Sequence, residues 1–176
     1  MQSLAFWKAV AMDHANFLEE LIGLLKQHHI RYCVIGGQGV NAYAEPLVSL
    51  DLDLAVAVDQ LNEVEGLLCS RFHVERFPHR LIASTPDSEL RVQIQTDPRY
   101  FEFPERAAVR DVLGLSLPVA AIEDLLAGKI WAEEDPERRA TKRRKDLLDI
   151  ERLLEAHPEL RSRVPAGILA RLSSPL

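Results

Sequence analysis

The sequence contains little cysteine, no long hydrophobic run and no excess of positive charge. Its two cysteines, Cys33 and Cys69, lie in apolar contexts without a CxxC or Cys/His spacing, so neither a disulfide framework nor a zinc site has support. The apolar stretch at the amino terminus is interrupted by Lys8, Asp13 and His14 and is much shorter than a membrane span. These absences predict a cytoplasmic protein with no membrane partner.

Two further patterns are missing. The serines have no Gly-x-Ser-x-Gly surroundings, which removes support for serine-type acyl transfer. Four histidines show no metal-ligand spacing to a nearby Cys or Asp, and they are interpreted as turn or surface residues: His28, His29, His73 and His79. The candidate site therefore has to be built from other residue types.

The charge is negative overall but unevenly distributed. A net charge of -6 argues against nonspecific binding of nucleic acid over the whole surface. Positive charge is concentrated in one short segment, which holds Arg138, Arg139, Lys142, Arg143, Arg144 and Lys145. The segment predicts one local basic site for nucleotide phosphates or an RNA backbone, although a solvated helix surface would give the same pattern.

The first part of the chain has the pattern of a mixed α/β core. Hydrophobic residues make up 47% of the 176 residues, enough for a substantial core. An amphipathic helix is predicted over 16–28, followed by a strand at 32–35, a glycine turn and a helix start at 40–44. The next strand, at 50–57, directs Leu52 and Leu54 to the core and Asp51 and Asp53 to the opposite face.

The later part of the chain predicts more strands and then helices. We expect a helix at 58–69 and strands near 72–77, 81–84 and 90–96, which give a small mixed sheet flanked by helices. A short strand near 115–117 and helices at 121–133 and 136–156 follow. The sequence thus predicts an α+β fold with a core domain at 1–104 and a C-terminal helical annex at 105–176, packed on the core.

The pair Asp51 and Asp53 is the principal chemical signal. Aspartates at alternate strand positions have Cβ atoms about 6 to 7 Å apart on one face, so their side chains can converge on common cations. Ionised carboxylates about 4 Å apart repel by roughly 4 kcal/mol at an effective dielectric near 20, and a divalent cation offsets this. Magnesium binds carboxylate and phosphate oxygens together, and two such ions can stabilise phosphoryl transfer. Asp-x-Asp alone is weak support, but here it follows a strand, glycine turn and helix that could hold a phosphate.

Two stretches together resemble a known signature. Residues 34–43, VIGGQGVNAY, followed by residues 49–54, SLDLDL, are similar to the signature of the DNA polymerase β nucleotidyltransferase superfamily, and more narrowly to its AbiEii-type, toxin-like branch. That branch has a Gly-Gly element, an Arg-x-Thr leading into Asp-x-Asp, and a later helical segment with a Lys and a basic-acidic pair. The resemblance spans roughly residues 30–155 and implies the nucleotidyltransferase fold.

The resemblance also implies roles for individual residues. The nucleotide would contact Gly36, Gly37 and Gln38 in the turn, Ser49 at the threonine position, and Lys129 and Lys145 in the annex. Asp51 and Asp53 would bind magnesium, one ion or two. Leu47 stands where the branch has arginine. Lys129 could instead lay its stem over apolar surface beside Trp131.

The sequence departs from the superfamily at a third carboxylate. The aligned position on the strand near 90–96 is Gln93, which is neutral and cannot accept the proton of an attacking hydroxyl. The resemblance makes Asp146, in the annex, the natural substitute as a third catalytic acid beside Asp51 and Asp53. The alternative is that Asp146 and Asp149 lie on an exposed helix face and balance neighbouring arginines.

Three functions are compatible with these patterns. The first is a magnesium-dependent nucleotidyltransferase that moves a nucleoside monophosphate from a nucleoside triphosphate to a hydroxyl on RNA, such as a tRNA end, on a protein or on a small molecule. The toxin-like resemblance adds a cognate antitoxin protein as a possible partner. The second is a catalytically degenerate protein of the same fold that binds nucleotides or regulates a partner. The third, a glycosyltransferase, fits the chain length and the glycine turn poorly.

Overall fold

A single mixed sheet forms the centre of the protein. The computed structural model describes residues 4–10, 12 and 16–173, and all statements of structure refer to these residues. Their strands are β1 (Tyr32–Ile35), β2 (Asp51–Val56), β3 (His73–Phe77), β4 (Arg80–Ser84), β5 (Arg91–Gln95), β6 (Ala108–Val112) and β7 (Leu115–Val119). The spatial order is β3-β4-β5-β2-β1-β7-β6.

Helices flank this sheet. They are α1 (Leu4–Val10), α2 (Phe17–Gln27), α3 (Gly36–Asn41), α4 (Leu61–Arg71), α5 (Ile122–Glu134), α6 (Ala140–Ala156) and α7 (Ala166–Leu172). The predicted α+β class, with a small mixed sheet flanked by helices, is confirmed. The last long helix begins at Ala140, four residues later than predicted, after a turn that contains Pro136. No helix within the described ranges is long and apolar enough to cross a bilayer.

The strands β1 and β2 form the centre of the sheet. All residues of β1 are buried, as expected for a short apolar strand with neighbours on both sides. β2 pairs antiparallel with β1 and parallel with β5. Leu52 and Leu54 are fully buried, which confirms the predicted core face of this strand. The opposite face of β2 is thereby held rigidly in the middle of the sheet.

The hairpin of β6 and β7 extends the sheet beyond residue 104. Leu113 (φ 57°) and Gly114 (φ 80°) both have positive φ, which is the geometry of a two-residue hairpin turn. A Cβ at Gly114 would collide with the backbone of Leu4, so glycine also permits the contact with α1. β7 pairs parallel with β1. The sequence predicted β7 but not β6, and the division into a core and an annex stays a prediction.

The last helices pack on α3 through a second apolar cluster. Val40 of α3 lies in this cluster with Leu126 of α5 and Ile150 and Leu153 of α6. Because α3 follows β1 directly, this packing places α5 and α6 near the end of the strands at which β1 stops and β2 starts. The two acidic positions of β2 lie at the same end of the strands.

Candidate functional site

Asp51 and Asp53 lie on the first half of β2. In the strand register, Asp53 stands opposite Ile35 of β1 and opposite Gln93 of β5. The side chain of Asp51 is 16% exposed, and its Oδ1 lies 3.1 Å from Nη2 of Arg91. The neutral Gln93 therefore occupies the strand position next to Asp53, as the sequence alignment predicted.

The glycine turn lies directly against Asp53. Gly36 begins α3 with φ +64°, a conformation that side chains other than glycine rarely adopt. A Cβ at this position would overlap the Asp53 carboxylate. By contrast, a Cβ at Gly37 would meet no atom within 4 Å. The turn thus combines a tight contact at Gly36 with open space at Gly37.

Partial burial gives Asp53 unusual electrostatics. Burial raises the pKa of its carboxyl to about 6, and the charge of Asp51 adds to the rise. The charges of Lys129, Arg138 and Lys145 lower the pKa but do not compensate fully. Among the described residues, no side chain forms a hydrogen bond or ion pair with Asp53. The Asp53 carboxylate therefore lacks a direct counter-charge.

The carboxylate pair fits a hard divalent cation. A cation shared by Asp51 and Asp53 would offset both their repulsion and the desolvation of Asp53. Within the described part of the chain, no group of three or more His, Cys, Asp and Glu side chains is placed to hold a metal. The protein would thus supply two carboxylates, and water or phosphate oxygens would complete the magnesium coordination.

Lys129 is a buried cation on α5. Its Nζ lies 3.1 Å from Oδ1 of Asp146 and 2.6 Å from Oδ2 of Asp149, both on α6. Burial alone would lower the pKa of Lys129, but the charges of Asp149 and Asp146 outweigh it and raise the pKa. Lys129 is therefore held in its charged form by these two ion pairs. Lys129 therefore does more than lay its stem over apolar surface beside Trp131, because its ammonium group binds two buried carboxylates.

Asp146 is also buried, at 2% exposure, and it binds a second cation. Nε of Arg138 donates to its Oδ2 at 2.6 Å. Asp149 is 1% exposed and binds Arg152. An exposed helix face is therefore the wrong interpretation of Asp146 and Asp149. The structure brings Asp146 to Lys129 and Arg138, and these cations in turn act on Asp53.

The basic segment is divided between ion pairs and exposed charges. Arg138 binds Asp146, and Arg143 binds the backbone carbonyl and the carboxylate of Glu133. The exposed members are Arg139, Arg144 and Lys145. Lys145 is close enough to lower the pKa of Asp53. Positive charge from Arg138 and Lys145 therefore acts on Asp53, while Arg139 and Arg144 are exposed.

An aromatic group supports α5 beside the site. Tyr100 packs against Gly128, where a Cβ would lie 3.2 Å from the ring, and it makes ring contacts with Phe103 and Trp131. Its ring lies near both Lys129 and Asp53, whose charges shift its pKa, although burial is the main cause of the rise to about 12. The sequence analysis missed Tyr100, since a single aromatic residue in a loop carries no pattern.

Ser49 lies just before β2. Its Oγ accepts a hydrogen bond from the backbone nitrogen of Asp51 at 3.3 Å, and its carbonyl accepts one from Nε2 of the buried Gln38 at 3.1 Å. Gln38 in turn accepts from Asn41. Ser49 and Gln38 thus join the glycine turn to the start of β2. The sequence analysis missed Asn41, whose role depends on tertiary contacts.

The sequence matches one family model. The model is described as nucleotidyl transferase AbiEii toxin, of a type IV toxin–antitoxin system, and it matches residues 47–174, which is more than half of the chain. No curated protein matches the chain. The match begins just before Asp51 and includes α5 and α6.

Several solved structures share the fold. The crystal structure of ANT(2″)-Ia in complex with adenylyl-2″-tobramycin has 14% identity and a TM-score of 0.62, with 90% of this chain and 98% of that chain covered. Lincomycin-bound LnuA, a lincosamide antibiotic adenylyltransferase, has 13% identity and a TM-score of 0.51 over 77% and 95%. JHP933 from Helicobacter pylori has 20% identity and a TM-score of 0.52 over 91% and 71%. At these identities the similarity shows the fold alone.

Proposed function

Because the chain belongs to the AbiEii nucleotidyl transferase toxin family, we propose that it transfers a nucleoside monophosphate from a nucleoside triphosphate to a hydroxyl acceptor, with magnesium as cofactor. Family membership confirms the resemblance drawn from the sequence and supports nucleotidyl transfer in general. The observation that carries the proposal is the half-buried Asp53 carboxylate, which lacks a direct counter-charge and lies against the glycine turn.

We propose that the triphosphate binds between the glycine turn and the annex. The open space at Gly37 leaves room for phosphate oxygens close to backbone N–H groups. The charges of Lys129 and Lys145 act on the Asp53 carboxylate, so they would also act on a phosphate bound next to it. Positioning and charge neutralisation of this kind account for most of the catalysis of phosphoryl transfer.

Asp51 and Asp53 would hold the magnesium in this proposal. When bound, the metal supplies charge neutralisation for the phosphate oxygens and for the two carboxylates. Asp53 contributes a carboxylate that its surroundings leave uncompensated. Asp51 would have to exchange part of its ion pair with the exposed Arg91 for the metal. Such an exposed pair is worth only about 0 to 1 kcal/mol, so it is a weak competitor.

Asp146 has two candidate roles in transfer. The ion pairs with Lys129 and Arg138 support a positioning role, in which Asp146 directs their charges towards Asp53. The role implied by the family resemblance is that of a third catalytic acid. Both roles predict that Asp146→Asn reduces transfer. A folded Asp146→Asn variant with unchanged activity would remove Asp146 from the mechanism.

The acceptor that these charges fit best is RNA. The exposed Arg139, Arg144 and Lys145 lie at or near the start of the helix that faces the carboxylate pair, so a phosphate backbone bound there would enter the site from that side. A tRNA end is one such acceptor, and the other classes are a hydroxyl on a protein or on a small molecule. The family description names a toxin–antitoxin system, and a cognate antitoxin is accordingly a proposed partner.

The test uses purified protein and labelled nucleotides. Protein is incubated with each α-labelled nucleoside triphosphate and magnesium, with total RNA or with the protein alone, beside a matched Asp51→Asn/Asp53→Asn variant. We expect label in RNA with the wild type and none with the variant. Label in the protein itself would identify a protein acceptor. No label in RNA or in protein with any of the four nucleotides would overturn transfer to these two classes of acceptor.

The position of Gln93 favours a second candidate, a protein that binds nucleotide without turnover. Gln93 is the strand neighbour of Asp53, where a third carboxylate would be needed as a proton acceptor. This candidate predicts triphosphate binding without transfer by the wild type, and gain of transfer in Gln93→Asp. Transfer by the wild type that Gln93→Asp does not increase would exclude it.

A further inference from the structure

The segment 45–50 leads into the carboxylate pair, yet it is not held by packing. Leu47, Val48 and Leu50 are 42%, 53% and 37% exposed. The segment forms no strand or helix before Asp51. An apolar segment with its side chains in solvent gains little from burial, so its conformation has to be determined by backbone contacts.

Side-chain donors bind three alternate carbonyls of this segment. The carbonyl of Glu45 accepts from Nη2 of Arg152. The carbonyl of Leu47 accepts from Nδ2 of Asn41 at 2.7 Å, and the carbonyl of Ser49 accepts from Nε2 of Gln38 at 3.1 Å. At the end of the segment, the carbonyl of Leu50 accepts from the backbone nitrogen of Arg91 on β5. The three side-chain donors thus hold the part of the segment that precedes this contact with the sheet.

Arg152 connects this set of donors to the buried charges. Its Nη2 donates to Oδ1 of Asn41 at 2.7 Å, while its Nη1 donates to Oδ1 of Asp149 at 2.6 Å. The same Asn41 oxygen accepts from the backbone nitrogen of Leu47 at 3.0 Å. Arg152 is 8% exposed, and its planar guanidinium reaches acceptors on α3, on α6 and in the segment.

We propose that Arg152 is a positioning residue for nucleotidyl transfer, which orders the segment 45–50 and thereby the start of β2 at Asp51. It acts through Asn41 and through the carbonyl of Glu45, and it contacts neither carboxylate of the pair. Asp149 binds both Arg152 and Lys129, and the charge of Lys129 acts on Asp53. The contacts that order the segment are therefore connected to the surroundings of the carboxylate pair. The proposal rests on the proposed nucleotidyl transfer for its catalytic consequence, but not for the ordering itself.

The ordering is tested by hydrogen exchange of the backbone amides in 45–50, measured without nucleotide. Arg152→Gln and Asn41→Leu should each raise exchange at Leu47 roughly tenfold or more, because its hydrogen bond to Asn41 is weakened or lost. The double variant should exchange no faster than the faster single variant, since both changes break one network. Additive effects, or unchanged exchange in both single variants, would overturn the proposal.

Arg171→Gln is the matched control. Arg171 also binds a buried carboxylate, that of Glu133, but it belongs to α7 and makes no contact with the segment 45–50 within the described ranges. It should lower the urea midpoint without changing exchange in 45–50. If Arg171→Gln accelerates exchange there as much as Arg152→Gln does, loss of stability alone explains the effect.

Arg152→Lys separates charge from geometry. Lysine keeps a positive charge beside Asp149 but lacks the planar fork that reaches several acceptors. We expect it to restore the urea midpoint while exchange in 45–50 stays fast. If Arg152→Lys restored both the urea midpoint and slow exchange in 45–50, charge compensation of Asp149 would be sufficient. That result would refute the positioning role.

The catalytic consequence is measured with the transfer assay. At saturating nucleotide, Arg152→Gln and Asn41→Leu should lower kcat about 10- to 100-fold, the usual range for residues that orient a metal ligand, with a smaller change in KM. Unchanged kcat in both variants would overturn the role in transfer. If the wild type transfers no label, the proposed function fails, and the exchange results still decide whether Arg152 orders the segment.

Discussion

Replacing Asp53 by asparagine should stabilise the protein at neutral and alkaline pH. Burial raises the pKa of Asp53 from 3.8 to about 6, so ionising this carboxylate is less favourable in the folded protein than in the unfolded chain. The linkage relation gives a penalty of roughly 3 kcal/mol at pH 8, which falls to about half of that at pH 5 and to less than about 1 kcal/mol at pH 4. The Asp53→Asn variant would carry no such penalty, because an asparagine side chain does not ionise.

The sign follows from the direction of the shift. Since the pKa is higher in the folded state, the folded protein retains the proton while the unfolded chain loses it. The contribution of Asp53 to stability therefore falls as pH rises from about 4 to about 6 and is level above that range. The Asp53→Asn variant does not lose this stability, so the difference in the free energy of unfolding between the variant and the wild type should grow as pH rises over the same range.

The assay is urea unfolding of the wild type and Asp53→Asn at pH 5 and pH 8, with EDTA to remove divalent cations. We expect the variant to be more stable by up to about 3 kcal/mol at pH 8 and by about half as much at pH 5. Asp59→Asn is the control, because the side chain of Asp59 is 64% exposed and pairs with Arg31 on the surface. Equal or lower stability of Asp53→Asn at pH 8 would refute the account of an uncompensated buried charge.

Other perturbations probe the same site. Gly36→Ala should cost at least about 2 kcal/mol in urea unfolding because of its positive φ and the overlap with Asp53, whereas Gly37→Ala should stay within about 1 kcal/mol; similar effects would contradict the close contact. Lys129→Met should cost about 3 to 5 kcal/mol, since two buried carboxylates lose a cation; a loss below about 1 kcal/mol would show that their other partners suffice. Magnesium at about a hundred times its Kd should stabilise the wild type by about 2.7 kcal/mol over EDTA but not Asp53→Asn, and an equal response would place the metal elsewhere.

The sequence predicted the local part of the site well. Strand alternation placed Leu52 and Leu54 in the core and Asp51 and Asp53 on the other face, because strand periodicity depends on neighbouring residues only. The close approach of Gly36 to Asp53 was not predicted, because it depends on the pairing of β1 with β2. The assignment of Gln93 to the strand position beside Asp53 also agrees with the register.

The parts that were missed depend on distant contacts or on exposed residues. β6 lies at the edge of the sheet, and four of its five residues are exposed, so it lacks the apolar alternation that identifies a strand. Arg152 binds Asn41 and Glu45, which are far away in the chain. The burial of Asp146 and Asp149 depends on the packing of α6 against α5, from which Lys129 binds both carboxylates. A charged helix position gives no sign of such partners until the helices are packed together.

The way in which the segment 45–50 is held has a consequence for how the protein could diverge. Its backbone is bound through carbonyls, while Leu47 and Val48, which precede Asp51 in the chain, are exposed to solvent. The identities of these two side chains are therefore largely independent of the contacts that hold the backbone. Mutations at positions 47 and 48 could change the exposed surface that precedes β2, and with it the choice of acceptor, while β2 keeps its geometry. The segment is thus a place where new substrate preferences could arise at little risk to folding.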